Sequence, residues 1–191
     1  MRIPTSCFKP VSFELLETIR TWRNKPRIRE KMIDDTIIEI EKQLQWFQSL
    51  KGNNEKEYLV FYQDEKPIGM LYFSNIVEES CHWGGYIGED TVWPGSGLIL
   101  GFAALEYAFG IMKKKQLIAE VFEDNYMAKN MHILFEYNLS EDLKIVTTKQ
   151  GYEKNIRIFF YTNENWKINR LKIVEKVPNQ IKKSLHSIVF L

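Results

Sequence analysis

The chain has 191 residues and a formal net charge of +1, which excludes the broad basic footprint of a general nucleic-acid binder but not a local basic pocket. Its 45% hydrophobic and 14% aromatic content is that of one globular domain with a sizeable core rather than a disordered chain, and its two distant cysteines and three scattered histidines show no disulfide framework or metal spacing. No window approaches the roughly 18 apolar residues of a membrane span, and the opening MRIPTSCFKP lacks the apolar run of a signal peptide, so a cytoplasmic protein without metal is expected.

Residues 12–24 place Phe13, Leu16, Ile19 and Trp22 at helical spacing, with Ser12 a plausible cap and Asn24 and Pro26 stopping the helix. Residues 27–34 suit a short second helix, and residues 36–50 a third that carries Ile40, Leu44, Phe47 and Leu50. Strands follow at 58–63 and 67–76 around the turn Asp64-Glu65-Lys66, then at 81–88, where the sequence reads CHWGGYIG. A Pro94-Gly95-Ser96-Gly97 turn leads into an apolar helix over 98–109. A strand over 116–123, a helix over 125–137 and two strands over 143–152 and 154–163 complete the main body. This order predicts an α/β (α+β layered) domain over residues 1–163, a mixed, mainly antiparallel sheet with helices on both faces. Residues 164–191 form a lysine-rich C-terminal extension with no assigned role.

A strand, a glycine turn and a helix start can make an anion site, because the first N–H groups of a helix have no carbonyl partner of their own. Gly95-Ser96-Gly97 is only G-x-G, with Leu100 where a third glycine would complete a dinucleotide fingerprint, and no P-loop pattern occurs. By itself the turn reads first as a loop that ends a strand and caps a helix.

The element order, with the glycine turn after the fourth strand counted in that family, resembles the GNAT superfamily of acyl-CoA-dependent N-acetyltransferases. That resemblance implies acetyl-CoA as co-substrate, with pantetheine along Tyr86 and Ile87 and pyrophosphate on Gly95, Ser96, Gly97 and Leu98. The family's loop begins with Gln or Arg, where this chain has Val92. Asn125 and Ala128 match the family's N-x-x-A, whose Asn reaches the cofactor; Asn125 is also a sensible helix N-cap. Arg23-Asn24-Lys25-Pro26, Met32 and Gln43-Leu44-Gln45-Trp46-Phe47 resemble the branch that acetylates the 4-amino group of a UDP-linked 4-amino-4,6-dideoxy sugar in pseudaminic-acid synthesis. The resemblance covers roughly residues 11–163 and implies a UDP-amino-sugar acceptor. R-N-x-P also occurs in branches that acetylate ribosomal proteins, which leaves a protein N-terminal acetyltransferase as the alternative; a non-catalytic acyl-CoA-binding module is a second alternative, and a homodimer is one candidate assembly.

Acetyl transfer to an amine needs a neutral amine, a stabilised oxyanion and a proton for the leaving thiolate. Glu120, which shares a strand face with Phe122, is the candidate base acting through water, or else an ion-pair partner. His132 stands where the family places its tyrosine acid, with Tyr126 and Tyr137 the nearest phenols; it is the candidate acid, or else a surface histidine. Arg23 suits a diphosphate, with Met32 and Trp46 as an apolar wall and Gln43 and Tyr86 as further contacts, although Trp46 also fits a core position. Cys81 reads as core filling.

Overall fold

The computed structural model describes residues 2–191. In chain order it contains β1 (Ser6–Pro10), α1 (Leu16–Asn24), α2 (Pro26–Arg29), α3 (Ile40–Ser49), β2 (Glu57–Gln63), β3 (Lys66–Ser74), β4 (Ser80–Ile87) and α4 (Ser96–Leu105). Then come β5 (Gln116–Phe122), α5 (Tyr126–Leu134), β6 (Asn138–Thr147), β7 (Glu153–Thr162), α6 (Asn163–Lys176), α7 (Asn179–Leu185) and β8 (Ile188–Phe190). One sheet of eight strands runs β6-β7-β5-β4-β3-β2-β1-β8. Only β4–β5 and β1–β8 are parallel pairs; the rest are antiparallel, so the expected mixed sheet is present.

Strand alternation sorts the sheet into two faces. On one, Val60 of β2 and Met70 of β3 bury Ile19, Trp22 and Ile28 from α1 and α2. On the other, Phe61, Leu71, Trp83, Leu117 and Ala119 pack against α4. Helix α4 is apolar almost all round, with eight of its ten residues buried, as befits a helix covered on every side. Its outer cover is the C-terminal extension, whose Trp166, Ile173, Val174, Val177, Ile181 and Leu185 join the same cluster.

Several boundaries differ from the sequence expectation. Ser12 opens a short 3-10 turn at Phe13–Leu15 but makes no side-chain cap. Helix α5 stops at Leu134, because Glu136 adopts a left-handed φ of 60° and the Tyr137 N–H turns back to the His132 carbonyl, 3.0 Å away. The β2–β3 hairpin turns on Asp64 and Glu65, both at positive φ, the conformation that tight two-residue hairpins require. Strand β1 carries no strong local pattern; Phe8, fully buried and stacked 4.6 Å from Phe61, fixes it at the sheet.

Candidate active site

The parallel pair β4–β5 holds together only at Ser80, Cys81 and His82 against Gln116, Leu117 and Ile118. Beyond that point Trp83–Ile87 follow β3, and Ala119–Phe122 follow β7. The two strands therefore part, and their facing backbone groups are left open, an arrangement that a buried sheet does not tolerate without an occupant. The Gly88 N–H donates to the Ile68 carbonyl at 2.7 Å, so Gly88 and, by alternation, Tyr86 turn their backbone to β3. Gly85 and Ile87 turn theirs to the gap; the Ile87 carbonyl is taken by Arg27 Nη1 at 2.8 Å, which leaves the Gly85 groups and the Ile87 N–H to an occupant.

At the mouth of this gap lies the glycine turn. Gly95 adopts a φ of 104°, open to glycine alone at little cost, and its carbonyl accepts the first helical bond from the Ile99 N–H. Gly97 is exposed with open space around its Cα, and the Gly97 and Leu98 N–H groups belong to the unpaired first turn of α4. Val92 and Leu98 send their side chains to the core. Ser96 has a different place from the one expected. Its hydroxyl is buried between Gln63 Oε1 and the Trp93 carbonyl, and its N–H also donates to Trp93, so it fastens the turn from inside.

Tyr86 departs from the pantetheine expectation alone, its backbone being turned to β3. Its ring packs with Trp22 and Met70 on the α1 face, opposite to the α4 side, and burial raises its pKa. There it meets Arg23, whose guanidinium Nη2 donates to the Asp34 carbonyl at 2.6 Å and whose Nη1 is buried without a partner. Burial lowers the Arg23 pKa, opposed by nearby Tyr86 and Tyr72, and pushes the Tyr72 phenol up to about 12. Tyr58 stacks on Tyr72 at 5.5 Å and meets the edge of Trp46 at 5.0 Å, which joins Trp46 to the same aromatic floor. Met32 packs against the cluster beneath Tyr86, and Gln43 is buried in α3 with its Nε2 unpaired. Asn24 holds the loop over this floor by two bonds to the Ile38 backbone, and Arg29 Nη1 grips the Asp35 carbonyl.

Ala119 and Val121 face the core, so Glu120 points to the α1 side at the edge of the gap, where Lys144 Nζ lies 3.0 Å from its Oε1. Asn125 caps α5, its Oδ1 accepting from the Ala128 N–H at 3.3 Å, and it has no other side-chain bond among the described residues.

His132 is the main correction. It is 2% exposed, enclosed by Trp83, Tyr137 and Phe159, and burial lowers its pKa to about 4. Nδ1 lies 2.7 Å from the Ala128 carbonyl, an acceptor only, so the neutral ring carries its proton there and Nε2 is a buried, bare acceptor. Such a ring has no free proton to give a thiolate. Two residues that border this space escaped the sequence reading: Gly85, which the Gly84-Gly85 pair within a strand could have flagged, and Tyr72, for which no local signal exists.

No metal-ligating cluster occurs among the described residues, and no helix there is long and apolar enough to cross a membrane. No family model matches the chain. Over 150 residues it is 31% identical to the acetyltransferase PseH of Campylobacter jejuni, covering 77% of this chain and 94% of that protein. The crystal structure of the Campylobacter jejuni N-acetyltransferase PseH in complex with acetyl coenzyme A superposes with a TM-score of 0.61 at 24% identity, over 80% of this chain and 92% of that one. Spermidine N-acetyltransferase from Vibrio cholerae, in complex with CoA and spermine, gives 0.77 at 14% identity, over 85% and 98%, a likeness of fold.

Proposed function

This chain belongs to the PseH family of GNAT acetyltransferases, and we propose that it moves acetyl from acetyl-CoA to the 4-amino group of a UDP-linked 4-amino-4,6-dideoxy sugar. The observation that carries the proposal is the two-sided gap: parted strands ending at a glycine turn on one side, and a half-buried Arg23 with a buried, unpaired Nη1 on the other. Pantetheine amides replace the missing ladder partners at Gly85 and Ile87, and the pyrophosphate takes the N–H groups of Gly97 and Leu98. Asn125 offers its free amide hydrogens to the same cofactor. The acetyl-CoA-bound PseH structure supports this donor.

The acceptor comes from the opposite face. Its diphosphate supplies the missing partner of Arg23 Nη1, and Trp46, Met32 and the Tyr58–Tyr72 pair form an apolar wall for the sugar nucleotide. Glu120 takes a proton from the ammonium through water, and the freed amine attacks the thioester carbonyl. The C–N bond forms, the nitrogen gives up its second proton to water, the C–S bond breaks, and the thiolate departs. A thiol titrates at about 8.5, so this leaving group is tolerable without a dedicated acid, and solvent returns its proton. His132 supports the wall of the gap as a neutral core residue.

Thiol release from acetyl-CoA tests the substrate. The purified protein should release coenzyme A with a UDP-4-amino-4,6-dideoxy sugar and show no turnover with a ribosomal N-terminal peptide. Turnover of the peptide alone would overturn the sugar assignment and favour the protein acetyltransferase.

A further inference from the structure

The C-terminal extension enters the core beside the glycine turn. Helix α7 packs along α4, and β8 closes the far sheet edge on β1, with the Leu191 N–H on the Phe8 carbonyl at 3.0 Å. On α7, Ile181, 7% exposed, lies directly under Gly95. A Cβ on Gly95 would sit 2.6 Å from Ile181 Cδ1 and 2.9 Å from its Cγ1, so the glycine backbone rests on the end of that side chain. From the other side the Ser96 hydroxyl is tied to Gln63 of β2.

A glycine reaches positive and negative φ with similar ease, so Gly95 does not choose 104° by itself. Something outside the turn has to hold it. Ser96 fixes the residue after the turn, and Ile181 blocks the space into which Gly95 would relax. We infer that Ile181 is a positioning residue for the donor: α7 braces the Gly95 turn so that the Gly97 and Leu98 N–H groups stay aimed at the pyrophosphate. The inference rests on the reading of Gly95–Gly97 as the pyrophosphate turn. It gives α7, within the extension of residues 164–191, a role in donor affinity beyond covering α4.

Ile181→Val tests this with little disturbance, because it removes the Cδ1 atom that touches Gly95 and keeps the rest of the side chain. Ile181→Ala removes the brace altogether. Kinetics are measured with two donors, acetyl-CoA and S-acetylpantetheine, which lacks the pyrophosphate. Ile181→Val should raise the KM for acetyl-CoA about threefold and Ile181→Ala about tenfold, as expected when a loop residue must be ordered at binding. Both variants should leave kcat and the KM for S-acetylpantetheine unchanged. Val174→Ala, in the same core cluster but on α6, should lower Tm and leave both KM values alone. If the Ile181 variants shift both donors equally, or shift neither, the positioning role is wrong although the pyrophosphate turn stands. If the wild-type protein shows the same KM for both donors, the turn does not hold pyrophosphate, and this inference falls with it.

Discussion

Replacing His132 with Phe separates a structural histidine from a catalytic one. The ring stacks on Phe159 at 4.8 Å and meets Tyr137 edge-on at 4.6 Å, packing that a phenyl ring preserves. Burial holds the folded-state pKa at about 4, whereas the unfolded chain titrates near 6.5. The unfolded state therefore binds a proton first as pH falls, so stability is intact above about 6.5 and is lost progressively down to about 4. That difference corresponds to about 3 kcal/mol in total, of which about 2 kcal/mol is lost between pH 7 and pH 4.5. His132→Phe loses the Nδ1 bond to Ala128 but also removes the bare buried Nε2, so its stability at pH 7 should match the parent within about 1 kcal/mol. Urea denaturation at pH 7 and pH 4.5 should show a smaller drop for His132→Phe than for the parent, by about 2 kcal/mol. Its kcat at neutral pH should stay within about threefold, whereas loss of a general acid lowers rates by about 100-fold or more. A folded His132→Phe protein with kcat down 100-fold and KM unchanged would refute the core assignment, as would parallel acid sensitivity of the two proteins.

Glu120→Gln should lower kcat about 100-fold with the KM for acetyl-CoA unchanged, the scale of a lost general base; retained kcat would reduce Glu120 to the ion-pair partner of Lys144. Arg23→Met should raise the KM for the UDP-sugar by about 30-fold, from about 2 kcal/mol of charge-assisted bonding. Its urea stability should equal or exceed the parent's, since a buried and partly unpaired guanidinium costs free energy in the empty site. Gly88→Ala should destabilise by about 1–3 kcal/mol in the same assay, because overpacking strains a tight core. A Cβ there would fall 2.1 Å from the Trp22 indole, which is 2% exposed and anchored by its N–H on Glu89 Oε1.

What the sequence revealed depended on whether the determining interaction is local. The Pro94–Gly97 turn and the Asn125 cap are local chemistry, and both lie where the residues indicate. Arg23-Asn24-Lys25-Pro26 is local in the same sense: Pro26 starts α2 and Asn24 seizes Ile38, which leaves Arg23 facing the aromatic floor. His132 is a helix residue whose surroundings are Trp83 of β4 and Phe159 of β7, and no helical register reports those partners. The extension was illegible for a related reason. Its Lys and Arg heads reach out to Glu106, Glu136 and Glu175 while Trp166, Ile173 and Val174 go inward, a pattern that reads as a charged tail until α4 is there to be covered.

Tyr86 and Ile87 show how far one rule would have carried. Adjacent strand residues turn their backbone groups to opposite neighbours, so Tyr86 and Ile87 could not both offer main chain to the same donor. Applied to the parted strands, the same alternation divides the whole centre: backbone of Gly85 and Ile87 toward the gap, side chains of Tyr86 and Glu120 toward the acceptor. Under the proposed function, donor recognition rests on main chain, at Gly85, Ile87, Gly97 and Leu98, and acceptor recognition on side chains from α1 to α3 and from the strands β2 and β3 beneath them. This division explains why Val92 is compatible with a working donor site. Its side chain packs into the core, and the N–H groups proposed for the phosphate are supplied by the helix start whatever residue precedes the turn. On the same proposal, substitutions among Arg23, Met32, Trp46 and Tyr72 change acceptor specificity without touching the backbone assigned to the donor.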